Sequence, residues 1–274
     1  MEATVNPEFQ VLSLGWGVQS FAIAAMMARD VLPRVDYLIH ADTQHEMAGT
    51  YDFARRWTPW LGEQGLTVVT VSGSRTDAVT RWNVDSVMIP ALTVDRETAK
   101  RGQVKRQCTT EWKIRPIRRY IRAELESRGL ALRPGIVESW MGISLDEWRR
   151  MRDSEVAYIV NEYPLVDLKI TRAGCVAWLQ EQGLEVPPKS SCTFCPYRSI
   201  ASWKELKRQG GPDWEEALEV DATIRVKRPK AELFVHPYRR PLPEAVTIPE
   251  DEGAAQLELE LDLEHPCDSG ICMT

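Results

Sequence analysis

The chain has 274 residues, 43% hydrophobic and 27% charged, with a formal net charge of −6. These are proportions of a soluble globular protein, and the length suits one large core with an appendage rather than two full domains or a disordered chain. The start MEATVNPEFQ has no basic end followed by an apolar stretch, and no apolar run approaches bilayer length, so the expectation is a cytoplasmic protein with no leader and no membrane contact.

Phe9 to Leu14 reads as a short buried strand, Gly15-Trp16-Gly17 as a glycine-bearing loop, and Val18 to Arg29, rich in Ala and Met, as a helix packed on that strand. Val35 to His40 predicts a second strand ending at Ala41-Asp42-Thr43, residues 47–62 a second helix, and Leu66 to Val71 a third strand. Strand–helix–strand–helix–strand is the order of a parallel, doubly wound α/β sheet. Residues 72–107 are polar and irregular and predict a long loop or lid. Trp112 to Arg128 predicts a helix, with Pro116 an obstacle near its start. Glu138 to Ile143 predicts a fourth strand, followed by a helix from about Leu145. Ala173 to Gln182 and Ser199 to Arg208 predict further helices, with Cys192 to Cys195 in a tight loop between them. Leu257, Leu259, Leu261 and Leu263 alternate with acids, a strand period that could extend a sheet edge.

Charge is uneven along the chain. Residues 244–274 hold nine acids and no Lys or Arg, which leaves 34 basic against 31 acidic groups in residues 1–243. Ten of the basic groups fall within residues 96–122. Such a cluster suits nucleotide phosphate, sulfate or an RNA backbone, and equally describes a solvated helix face.

Ser13-Leu-Gly-Trp-Gly-Val-Gln-Ser20 lies between a predicted strand and a predicted helix. Backbone N–H groups in such a turn converge on one space, the helix N-terminus adds partial positive charge, and glycine allows close approach. Ser20 can offer a hydroxyl. The stretch is neither GxxxxGK[ST] nor GxGxxG.

Six cysteines, at 108, 175, 192, 195, 267 and 272, do not form a secreted disulfide pattern. Cys192-Thr-Phe-Cys195 sets two thiolates on one turn, able to share a metal or cluster. Zinc bound at a structural site, or a metal-free dithiol, fits the same spacing. Cys175 lies in an apolar helix and reads as buried and inert. His40, His45, His236 and His265 show no metal-ligand spacing, and His236, beside Tyr238, Arg239 and Arg240, reads as a phosphate contact or a surface loop residue.

The loop resembles the SGGxDS segment of PP-loop ATP pyrophosphatases, with Gly15, Trp16, Gly17, Val18, Gln19 and Ser20 in its six positions; Val18 and Gln19 stand where Lys and Asp are frequent. Three further stretches resemble the PAPS and APS reductases of that superfamily: Asp42-Thr43-Gln44-His45-Glu46 with Tyr51; Gly142 to Glu147 with Arg149 or Arg150; and Tyr163 to Asp167. Cys108-Thr-Thr-Glu-Trp-Lys-Ile-Arg-Pro-Ile is similar to the CCxxRKVxPL of iron–sulfur APS reductases, with one Cys in place of two, and Cys192 to Pro196 resembles their later CxxC.

The resemblance implies an α/β fold, a doubly wound parallel sheet of the adenine-nucleotide-hydrolase type with a C-terminal cysteine-bearing helical extension. It implies three parts: a nucleotide-binding domain over 1–170, a CxxC helical segment over 171–243, and an acidic tail over 244–274 with Cys267 and Cys272. ATP with Mg2+, or APS or PAPS as substrate nucleotide, would lie on Ser13, Gly15, Trp16, Gly17, Gln19, Ser20, Asp42 and Gly142. A [4Fe-4S] cluster, or Zn2+ as the alternative, would lie on Cys108, Cys192 and Cys195. Asp42, Cys267 and Cys272 would be catalytic, one of the two cysteines relaying sulfur as a persulfide; a disulfide between them, or no role, fits the same pair. The implied activity is a sulfurtransferase that adenylates a tRNA, DNA or small-molecule acceptor, drawing sulfur or electrons through a cysteine desulfurase or thioredoxin-like partner. An APS/PAPS reductase releasing sulfite is the alternative, and a non-catalytic zinc-stabilised nucleotide-binding module the third. A homodimer is compatible with all three.

Overall fold

The structure is a computed structural model that describes residues 7–73 and 87–247. Cys267, Cys272 and the alternating leucines 257–263 lie outside the described residues, as does the middle of the predicted loop 72–107.

Five strands form a parallel sheet in the order β3-β2-β1-β6-β7: β1 Phe9–Ser13, β2 Tyr37–Asp42, β3 Val68–Ser72, β6 Val137–Trp140 and β7 Ile159–Glu162. Leu12 pairs with Leu38 on one side and with Trp140 on the other. Chain order reverses at β1: the chain runs outward through β2 and β3, then returns to lay β6 and β7 on the other flank. This is the predicted doubly wound α/β sheet, and the gap between β1 and β6 at their carboxyl ends is its switch point, where such sheets bind ligands.

Both faces are covered, as a parallel sheet requires. Leu12, Leu14, Leu38 and Trp140 pack with helix α1 (Val18–Ala28), helix α2 (Ala48–Glu63) and Cys175 and Leu179 of helix α4 (Arg172–Glu181). All eleven residues of α1 are buried, which explains its Ala- and Met-rich composition without a polar stripe. On the opposite face Phe9, Val11, Ile39 and Val137 meet Ile121 and Leu125 of helix α3 (Arg115–Ser127).

A six-residue π-helical stretch, Thr109–Ile114, runs directly into α3. Pro116 is the second residue of α3, and because the backbone is already helical from Thr109 it sits at the junction of the π and α turns rather than at a free helix start. The segment from Leu145 is a 3-10 stretch, Leu145–Arg150, rather than an α-helix.

The predicted loop 72–107 contains regular structure. Strands β4 (Leu92–Asp95) and β5 (Arg101–Gln103) pair antiparallel, and β4 also pairs with β8 (Ala231–Phe234). Helices α5 (Ile200–Gln209) and α6 (Gly211–Arg225) pack beside this second sheet. The resulting second core unites Val87, Ile89, Ala91, Val104 and Trp112 with Phe194, Trp203, Ala217, Val220 and Leu233. Residues 87–112 thus share a core with residues 192–246.

Among the described residues no helix is long and apolar enough to cross a membrane.

Candidate functional site

At the end of β1 the chain turns through Gly15, Trp16 and Gly17 into α1. Trp16 holds φ +56° and sends its ring into the core, edge-on to Phe53 and His40. Its side chain is spent on packing, so any ligand contact at this position comes from its backbone. His40 Nδ1 lies 3.1 Å from the Leu14 carbonyl, and burial pushes the pKa of His40 down, which suits a neutral ring donating there. Ser20 Oγ accepts from Gly15 N at 3.2 Å and donates to Gly17 O at 3.3 Å, closing the loop on itself. Gly17 is the N-cap of α1, and no side chain caps that end. The arrangement leaves a helix N-terminus facing the carboxyl edge of the sheet.

Gly142, just after β6, meets this turn across the switch point. A Cβ there would lie 2.8 Å from Ser20 N and 3.1 Å from Ser20 Cα, both backbone atoms, so only glycine fits. Gln19 is buried behind the turn. Its amide donates to Glu147 Oε2 at 2.9 Å and its oxygen accepts from Arg172 Nη1 at 2.7 Å, while Arg150 also donates to Glu147 Oε2, at 2.5 Å. Gln19 thus ties the two loops together. Arg150, rather than Arg149, is the arginine drawn into this network, since Arg149 stacks over the exposed Trp148.

Ser13 ends β1 on the α3 face and opens into a pocket of about 310 Å3 at the carboxyl ends of β1, β6 and β7. Ser139, Met141 and Asn161 form its strand side, and Lys113, Arg118 and Arg152 bring three cations. The volume is at the small end of ligand sites. Asp42 ends β2 and lines a different, open pocket of about 650 Å3 shared with Trp16, Tyr51, Arg55 and Thr70. Its Oδ1 accepts from Tyr51 Oη and from Gln44 N, each at 2.7 Å. Burial and the Asp42 carboxylate hold the Tyr51 phenol protonated, its pKa pushed well up. The structure thus brings Ser13, Gly15, Gly17, Gln19, Ser20 and Gly142 to one edge and sets Asp42 on the far side of the Trp16 turn.

The CxxC loop is held by an antiparallel pairing that the sequence did not announce. Residues 45–47, after β2, pair with 191–193: Thr193 N donates to His45 O at 2.9 Å and Met47 N to Ser191 O at 3.1 Å. Arg198, buried under the loop, donates to Ser191 Oγ at 3.1 Å and to Cys192 O at 3.2 Å. Cys108 sits at the head of the π-helical stretch, its N–H bonded to Met88 O at 3.0 Å.

These constraints bring Cys108, Cys192 and Cys195 to the wall of one pocket, with Trp112, Phe194 and Ile89 as apolar lining and Arg106 and Lys113 as cations. Its free space is about 30 Å3, room for an ion or a water or two. Among the described residues no three His, Cys, Asp or Glu side chains already form a metal cage. The donor set itself, three thiols in an apolar shell with cations to balance thiolate charge, suits a thiophilic ion in the space present, and an iron–sulfur cluster, larger than that space, would need the Cys108 and CxxC segments to part. Cys175 is fully buried in the sheet core, 0% exposed, and burial pushes its thiol up to about 12. It stays protonated and inert, as expected.

Lys113 lines both the 310 Å3 pocket and the cysteine pocket. It donates to Glu46 Oε1 at 3.1 Å, an ion pair in which both side chains are nearly sealed from water. Glu46 Oε2 accepts from Ser190 Oγ, which also donates to Gly15 O at 2.8 Å, and Thr43 Oγ1 lies 3.6 Å from Cys192 Sγ. A polar chain therefore runs from the phosphate-loop candidate to the CxxC loop. Alongside it, Glu216 accepts from Thr193 Oγ1 at 2.6 Å and pairs with His45 Nδ1 at 2.7 Å. Burial opposes the Glu216 charge, but these two bonds outweigh it and lower its pKa. Ser190 and Glu216 were not legible in sequence, because each acts across more than 100 residues and belongs to a common residue type.

His236, read in sequence as a phosphate contact or a surface residue, is wholly buried between Trp203 and Tyr238, so neither reading stands. Burial drops its pKa to about 4.

No protein-family model matches the chain, and no curated protein does. Among solved structures, phosphoadenylyl-sulfate (PAPS) reductase from Candida auris, in a phosphate complex, is similar with a TM-score of 0.43 and 17% identity, over 68% of this chain and 78% of that one. The U34-tRNA thiolase NcsA from Methanococcus maripaludis, with its [4Fe-4S] cluster, gives 0.36 and 14%, over 80% and 72%. Similarity this low leaves the functional assignment to the residues of the site.

Proposed function

We propose that this chain is an enzyme of nucleotide-dependent sulfur chemistry, of the PP-loop, PAPS-reductase-like kind. The single observation that carries the reading is the shared wall: Lys113 faces both the pocket at the sheet's carboxyl edge and the pocket of Cys108, Cys192 and Cys195. One site holds Ser13 of the phosphate-loop candidate with Arg118 and Arg152 beside Asp153 and Glu155, the other holds thiols, and the buried Lys113–Glu46 pair lies between them.

In this reading the Ser13–Ser20 turn and the α1 N-terminus bind the phosphates of ATP, with Mg2+, through backbone N–H groups. Gly142 permits the close approach of the two loops, and Arg152 at the pocket wall offsets phosphate charge. An acceptor oxygen attacks the α-phosphorus, the bond to the pyrophosphate oxygen breaks, and the oxygen becomes an adenylated leaving group. Hydrosulfide delivered at the cysteine pocket then attacks the activated carbon, forming the C–S bond as the C–O bond breaks and AMP departs. Cys108, Cys192 and Cys195 would hold an iron–sulfur cluster, or zinc, at that pocket. Such a cluster, when bound, supplies thiophilic iron for handling sulfur. Lys113 and Arg106 balance the thiolate charge, and the apolar walls limit water.

A second reading, sulfonucleotide reduction with sulfite release, is favoured by one observation. The loop positions where Lys and Asp are frequent hold Val18 and Gln19, and Gln19 is consumed by Glu147 and Arg172 rather than offered to a phosphate. Anaerobic protein incubated with ATP and candidate acceptors, and separately with APS or PAPS and a thiol reductant, separates the two. Pyrophosphate with AMP supports transfer, sulfite without ATP cleavage supports reduction, and neither product contradicts both.

A further inference from the structure

The ten cations that the sequence groups in residues 96–122 divide in space. Of the five from Lys113 to Arg122, four have partners within the protein, Lys113 with Glu46, Arg115 with Glu111, Arg118 with Glu155 and Arg122 with Tyr158, and Arg119 lies on α3 with them. The rest ride on the small antiparallel sheet, where a second basic run joins them. Arg96 N donates to Lys230 O at 3.0 Å, which sets the β4–β5 turn against the segment leading into β8. Arg96, Lys100 and Arg101 from one side and Lys227, Arg228 and Lys230 from the other therefore share the tip of one sheet, 120 or more residues apart in sequence. The acids nearby are Asp95, Glu97 and Glu232, and Arg96 pairs with Glu232 at 3.3 Å.

The tip is built rather than loose. Asp95 Oδ1 accepts from Glu97 N, Thr98 N and Thr98 Oγ1 at 2.8–3.1 Å, and Ala99 holds φ +55° to complete the turn. Edge protection explains cations spread along an outer strand. It does not explain cations from two distant segments gathered at one end. The base of the same sheet borders the cysteine pocket: Ile89 and Pro90 precede β4 and Arg106 follows β5, and all three line that pocket. From Ala91 to Arg96 is five residues of extended chain, roughly 16 Å.

We infer that this sheet is a docking arm for the phosphodiester backbone of a nucleic acid, placed to lead a nucleotide toward the cysteine pocket. Arg106, 5.9 Å over the ring of Tyr197 at the pocket wall, continues the positive track inward. What the arm delivers to rests on the proposed sulfur chemistry; that it binds nucleic acid does not.

The test is fluorescence anisotropy with a labelled 20-nucleotide single-stranded RNA and the DNA of the same sequence, across a salt series. The proteins are wild type, Lys100→Ala/Arg101→Ala/Arg228→Ala/Lys230→Ala, and Arg115→Ala/Arg119→Ala/Arg122→Ala on α3, each with its melting temperature. The arm variant is expected to bind at least tenfold more weakly, with a log–log salt slope shallower by about 2–3, since each lost single-strand phosphate contact removes about 0.7. The α3 variant is expected to keep the wild-type slope. Tighter binding of RNA or of DNA identifies which backbone the arm takes. No binding of either probe by wild type, an unchanged slope in the arm variant, or loss confined to the α3 variant overturns the proposal. Arm-dependent binding by a protein that yields neither pyrophosphate with AMP nor sulfite would refute the functional reading and leave the arm.

Discussion

Lys113 and Glu46 show how much one buried pair can hold. Removing one partner of such a pair strands a charge away from water and costs about 3–5 kcal/mol, whereas replacing both removes the demand. Lys113→Met is therefore expected to lower the urea midpoint strongly and Lys113→Met/Glu46→Gln to recover much of the loss. A double variant no more stable than the single would show that the pair is not isolated from solvent. His236 makes a pH prediction. Its folded pKa, about 4, lies below the ordinary value of 6.5, so the unfolded chain binds the extra proton first. Its stability contribution is complete above about pH 6.5 and falls away as pH drops toward 4, on the order of 3 kcal/mol in all. His236→Phe is expected to flatten the urea midpoint across that window relative to wild type; an equal acid slope in both proteins would contradict the assignment. Neither residue's setting was legible in sequence. Lys113 sits in a run of ten cations that look alike, and His236 has polar neighbours in sequence but aromatic ones in space.

At the scale of elements, local patterning carried far where burial is continuous. β1, α1, β2, α2 and β3 fall within a few residues of expectation, because apolar runs and the glycine turn decide them. The second sheet was missed. β4, β5 and β8 are three or four residues long, so they show too little alternation to be read, and the β4–β8 pairing spans more than 130 residues. α6 starts at Gly210-Gly211-Pro212, which reads as a break, yet proline is at home in a helix's first turn. The meeting of the β1–α1 turn with the segment after β6 gives a sharp prediction. Gly142→Ala places a methyl 2.8 Å from backbone of Ser20, which has no side-chain freedom with which to yield. The expected cost is roughly 1–3 kcal/mol of stability, and at least tenfold weaker ATP or APS binding by calorimetry. Unchanged affinity in a folded Gly142→Ala protein would remove this turn from the nucleotide site.

For the whole molecule, the central fact is that two cores meet along a line of polar contacts. The parallel sheet supplies the switch point and the helix N-terminus, the second core supplies the three cysteines, and residues 43–47 and 190–193 join them. The sequence showed the cysteines and the loop separately; their adjacency, through Lys113 and Glu46, is a property of the fold. The roles expected for Cys267 and Cys272 fall outside the described residues. The most direct test of the account is the metal content of protein purified without oxygen, wild type beside Cys192→Ala, with iron, sulfide and zinc analysis and an absorption spectrum. The account predicts bound iron and sulfide with a broad band near ~400 nm, lost in the variant, as thiolate-ligated clusters require. Colourless wild-type protein carrying about one zinc would reduce the pocket to a structural site, and protein with neither metal would contradict the sulfur-handling centre altogether.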